Sequence, residues 1–131
     1  MNHERKFYAR ALVGVVVGVA LGTALSVALA APPKLTAILV DPATKALKQT
    51  AAVKATVDDL RLVDSASSKE KPVPGEGHLH YQVDNGPVIA TTAAALAFHE
   101  LTPGPHTITV TPVGNDHAPV GRPVVLSVTI P

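Results

Sequence analysis

Histidine carries most of the chemistry this chain could do. His78 and His80 stand one residue apart in "GHLHYQVD", and Asp116-His117 stand in "GNDHAP". A neutral imidazole is a common metal ligand and titrates near neutral pH. On a strand, residues i and i+2 share a face, so His78 and His80 could face one ion together. Adding Asp116 and His117 gives the three or four nitrogen and oxygen donors that Zn²⁺ or Cu²⁺ takes. The chain has no cysteine, which excludes a thiolate site, a disulfide framework and a cysteine nucleophile.

A structural role competes with the metal role at each residue. His78 and His80 suit the solvent face of a sheet. Asp116 suits a bond to its own turn backbone. His106 shares parity with Ile108 and Val110, which suits a satisfied, partly buried histidine at the end of a core. No HExxH or zinc-finger spacing is present. The expectation is therefore two polar residues on a wet face, with no cofactor and no tight metal site. The alternative is a copper or zinc site built from His78, His80, Asp116 and His117.

Catalysis has less support, and the chain is not expected to be an enzyme. It has no G-x-S-x-G elbow, no P-loop and no G-x-G-x-x-G. Asp58 and Asp59 are adjacent, so on a regular strand they point to opposite faces. Ser65, Ser67 and Ser68 fall in a polar loop, a poor place for a preorganised nucleophile.

The elements that must position these residues read as strands. Apolar and polar residues alternate in "KLTAILV" (Lys34–Val40) and "AVKATVDDLRLVD" (Ala52–Asp64). In the second, parity changes at Asp58-Asp59, which implies a bulge or a bend. "HLHYQVD" sets Leu79, Tyr81 and Val83 against His78, His80, Gln82 and Asp84. Asn85-Gly86 then predicts a two-residue turn with both residues at positive φ. "PVIATT", "ALAFHEL", "HTITVTPV" and "PVVLSVTIP" complete the set, with Leu96, Phe98, Ile108 and Val110 inward. "ATKALKQTAA" (Ala43–Ala52) is the one segment with helical composition, but it is short and uncapped. Some seven short strands in about 100 residues indicate an all-β fold, a two-sheet sandwich of immunoglobulin-like type. In that order the third, sixth and seventh strands are neighbours, which could bring His78, His80, Asp116 and His117 together.

The first 30 residues differ in kind. Arg5, Lys6 and Arg10 precede an uncharged apolar run, Ala11 to Ala30, that ends on Ala28-Leu29-Ala30. A positive n-region, an apolar h-region and an A-x-A ending make a signal peptide, cleaved before Ala31. The run also approaches the ~20 residues of a membrane span. Gly14, Gly18 and Gly22 have the four-residue spacing of close helix packing, so an uncleaved anchor is the alternative. Either way residues 31–131 are one exported domain, periplasmic or extracellular. It holds eight Lys/Arg and nine Asp/Glu. That balance gives no reason to expect nucleic acid, and the membrane enters only through the N-terminal segment. No partner is readable.

Two segments, "GHLHYQVDNGPVI" and "FHELTPGPHTITVTPVGNDHAPVG", resemble small exported bacterial proteins grouped as a domain of unknown function. The shared pattern is G-H-x-H-Y-x-x-D, then L-x-P-G-x-H-x-I-x-V, then a Gly-Asn-Asp-His-x-Pro loop, over about Val53 to Ile130. The resemblance implies an immunoglobulin-like sandwich behind a signal peptide. The chain is also similar, more faintly, to periplasmic copper-resistance sandwiches, through Leu101, Pro103, Gly104, Val110, Asp116, His117 and Pro119. That similarity implies copper ligands at Asp116 and His117. It departs from the pattern in lacking the tryptophan and in its Ala31-Pro32 start, where a histidine is expected. A copper site would have to recruit His78 or His80 instead.

Overall fold

The computed structural model describes residues 31–64, 66 and 71–131. Residues 1–30, where the sequence leads one to expect a signal peptide or an anchor, lie outside the described residues, as do Ser65, Ser67 and Ser68. Among the described residues no helix is long and apolar enough to cross a membrane.

The fold is an all-β sandwich of two sheets. The strands are β1 (Lys34–Val40), β2 (Ala51–Asp58), β3 (Arg61–Leu62), β4 (Glu76–Val83), β5 (Ile89–Thr91), β6 (Ala95–Phe98), β7 (Gly104–Gly114) and β8 (Val124–Ile130). One sheet has the order β1-β2-β6. The other has the order β3-β4-β7-β8, with β5 also paired to β4. Only β3 pairs in parallel; the other pairings are antiparallel. The third, sixth and seventh strands of the sequence reading are β4, β7 and β8, and they are neighbours as expected.

Alternation explains the core. Leu35, Val53, Ala55 and Phe98 face inward from one sheet, and Leu79, Tyr81, Ile108, Val110, Val128 and Ile130 from the other. Each fully buried large apolar side chain contributes roughly 1.5–3 kcal/mol. Tyr81 crosses between the sheets. Its ring lies 6.4 Å from that of Phe98, and its hydroxyl donates to the Ala93 carbonyl at 2.9 Å. Tyr81→Phe removes that bond and keeps the ring. It is expected to destabilise by about 1 kcal/mol in urea titration.

The parity change at Asp58-Asp59 is a change of sheet. Asp59 takes a left-handed backbone (φ 60), which ends β2, and the chain then pairs β3 with β4. The expected strand Ala52–Asp64 is thus two strands in two sheets. The helical composition after β1 yields one turn, α1 (Pro42–Ala46), entered by Pro42 and without a side-chain cap.

The turn after β4 corrects an expectation. Asn85 and Gly86 are not at positive φ; Asp84 is, at φ 50. The Gly86 N–H still donates to Val83 at 2.9 Å, so the turn is tight, but its left-handed residue comes one place earlier. The cause is β7. Asp84 N–H donates to the Thr107 carbonyl at 2.7 Å, and Thr107 N–H donates to Asp84 Oδ1 at 2.8 Å. These two bonds hold Asp84 in place and leave the turn to start there.

Candidate metal centre

His78 and His80 lie on β4, on the face opposite Leu79 and Tyr81. Their parity is the expected one. Their exposure is not: His78 is only 1% exposed, and His80 is half-buried. The wet-face expectation fails for His78 because the β7–β8 connection returns over this part of the sheet. β7 pairs with β4 as far as His78↔Val113 and Gly77↔Gly114. The chain then turns at once. Gly114 N–H donates to the Ala118 carbonyl, and His117 N–H donates to the Gly114 carbonyl, both at 2.9 Å. Val113 bridges to Pro119, which closes a short hairpin. His117 is its left-handed residue, at φ 63.

That turn brings the third imidazole to the other two. His78 Nε2 lies 3.1 Å from His80 Nε2 and 3.2 Å from His117 Nδ1. His80 Nε2 lies 3.0 Å from His117 Nδ1. The ring centroids are 5.0, 4.7 and 5.2 Å apart.

Three imidazole nitrogens at these distances cannot all be hydrogen-bonded to one another. A ring nitrogen of a neutral imidazole is either a donor or an acceptor. In a triangle of such atoms at least one edge joins two of a kind, two lone pairs or two N–H groups. A cation facing three lone pairs satisfies all three at once. The size fits as well. At Zn–N distances of about 2.0–2.1 Å, tetrahedral ligands are roughly 3.3–3.4 Å apart. A triangle with edges of 3.0–3.2 Å puts such an ion about 1 Å outside its plane.

The surroundings favour neutral rings. Burial holds the His78 pKa below the usual histidine value, the charge of His117 adds to this, and the Asp64 carboxylate opposes it. Burial also lowers His80, followed by the charges of His78 and His117. Low pKa values keep lone pairs available at neutral pH. The other nitrogen of His78, Nδ1, is buried without a hydrogen-bond partner.

Asp116 stands outside the cluster. Its Oδ1 accepts the Ala118 N–H at 3.1 Å, the turn role weighed for it above. Among the described residues the group of close ligand atoms is His78, His80 and His117 alone. His99 is elsewhere, with Nδ1 3.2 Å from the Thr50 hydroxyl.

His106 shows what a structural histidine looks like in the same protein. Nε2 donates to the Thr102 carbonyl at 2.7 Å and Nδ1 to Asp84 Oδ2 at 2.8 Å. Both partners are acceptors, so both nitrogens carry hydrogen and the ring is an imidazolium. The Thr102 carbonyl chiefly, then Asp84, raises its pKa. A raised pKa means that His106 adds stability below the ordinary value of about 6.5, and that this is lost as pH rises through the raised value. In a proton NMR titration His106 should titrate above the ordinary histidine value, and above His78 and His80. Asp84→Asn should bring it back toward the ordinary value.

Sequence reasoning missed two things here: the burial of His78 and the left-handed backbone of His117. A hint of the second was legible, since Gly-Asn-Asp-His is a turn sequence and histidine is among the residues that tolerate positive φ. The fold and the cluster define a two-sheet β-sandwich that carries a histidine triad on the outer face of its central strand. No family model, no curated protein and no solved structure matches the chain.

Proposed function

We propose that this protein is an exported sandwich domain that holds one zinc ion through His78, His80 and His117, and that works by binding and not by catalysis. The observation that carries it is the triangle of ring nitrogens, 3.0–3.2 Å on every edge. Zinc is preferred to Cu²⁺ on the same geometry. A tetragonal copper site with three ring nitrogens in its plane would set two of them trans, about 4 Å apart. No edge of this triangle is that long. Export is supported by the positive, apolar and small-residue order of residues 1–30. An immunoglobulin-like assignment is supported by the pairing orders β1-β2-β6 and β4-β7-β8. A binding role is supported by the chemistry around the triad. All three rings are used as ligands, and the nearby Asp116 carboxylate is engaged with its own turn.

The test is metal titration of the purified protein. One equivalent of Zn²⁺ should bind, and Cu²⁺ should compete. Affinity must fall with pH, because a protonated imidazole cannot ligate. The lowered values of His78 and His80 place most of that loss below about pH 6.5. Weak binding that survives loss of the histidines would refute the proposal.

A further inference from the structure

The triad supplies three corners of a tetrahedron. A structural zinc site fills the fourth with another protein ligand, whereas an open site keeps it for solvent or an added molecule. Among the described residues no fourth histidine, aspartate or glutamate atom joins the group. The nearest candidate in sequence, Asp116, gives its Oδ1 to Ala118.

Two further observations say what could enter. The first is access. Exposure rises across the triad, from buried His78 through half-buried His80 to exposed His117. A bound ion is therefore reached from the His80 and His117 side. The second is charge. Three neutral imidazoles cancel none of a divalent ion's charge, and the Asp64 carboxylate, whose field reaches His78, is not among the close ligand atoms, so a bound ion keeps net positive charge at its open position, in a place that is partly screened from water. An anionic donor then gains more than a neutral one, because attraction to the ion is less damped there than in bulk water.

We infer that the site, once loaded, is a receptor for a small anion that donates one atom to the metal: a carboxylate, an azide-like ion or hydroxide. This rests on the zinc reading above. The anion's charge and size select it, since the triad leaves one position and the exposed edge admits a compact ligand.

Cobalt(II) in place of zinc makes the position visible, because its absorption reports coordination number and ligand type. The full chain should bind one Co²⁺ with the strong visible bands of a four-coordinate ion. Sodium azide should then shift those bands saturably, with a stoichiometry of one azide per cobalt. Sodium acetate should displace the azide, and sodium perchlorate at equal ionic strength should do neither. A rise in pH alone that reproduces the shift would identify hydroxide as the resident anion, and azide should then lose affinity as pH rises. Cobalt that binds but ignores azide, acetate and pH would overturn this inference, since the protein would itself supply the fourth donor; the zinc reading would stand. Failure to bind cobalt or zinc at all would overturn both.

Discussion

Replacing His117 with glycine should leave the apo fold within about 1 kcal/mol of its original stability and lower zinc affinity by roughly a hundredfold. The first half follows from the backbone. His117 sits at φ 63, where a side chain costs about 1–2 kcal/mol that glycine does not incur. Glycine loses roughly 0.5–1 kcal/mol through its greater freedom in the unfolded chain, so the two effects largely cancel. The ring is also exposed, so little packing goes with it. The second half follows from the ligand count. Structural zinc in small domains is held by about 10–16 kcal/mol from four ligands. One ligand is thus worth about 3 kcal/mol, or roughly two powers of ten. Isothermal titration with zinc, beside urea unfolding without it, measures both halves. A large loss of apo stability would instead make His117 a packing residue. His78→Ala is a poorer probe, since it empties a buried volume and confuses the two effects.

Zinc should also raise the melting temperature markedly. A ligand that binds only the folded state, present at a hundred times its dissociation constant, adds about 2.7 kcal/mol. For a domain of this size that is roughly 10–20 °C. The gain should vanish in His117→Gly and on chelation, and should shrink as pH falls. The apo protein should lose stability in the same direction. The folded pKa values of His78 and His80 are lowered. The unfolded chain therefore takes up protons first, and stability that is full above about pH 6.5 declines as pH drops below it. His106 runs the other way, and Asp84→Asn should reduce its opposing contribution, leaving the part due to the Thr102 carbonyl. Differential scanning calorimetry from pH 5 to 8, with and without zinc, would separate the three effects. No thermal shift with zinc at neutral pH would count against the metal centre.

Much of this was local and hence legible in the sequence. Side chains alternate along a strand with a period of two, so the inward set at Leu79, Tyr81, Ile108 and Val110 could be read from apolar spacing alone. So could the shared face of His78 and His80, and the break at Asp58-Asp59. That break proved to be a change of sheet, because a left-handed backbone at Asp59 redirects the chain. The Asn85-Gly86 turn was misread for the opposite reason. A long-range pair of hydrogen bonds from Thr107 places the positive φ on Asp84, and no dipeptide preference carries that information.

The triad belongs to the tertiary structure. His117 is 37 residues from His80, and its arrival depends on the register His78↔Val113 and on a turn that closes within Gly114–Ala118. A slip of one residue would point every side chain of β4 to the other face. The same packing covers His78, which sequence alone would leave in water, and it sets Asp116 to its own backbone while His117 turns toward His78 and His80 on the outer face of β4. Residue types and parity named the candidates. Which of them converge, and how closely, was decided by where one hairpin folds over one strand.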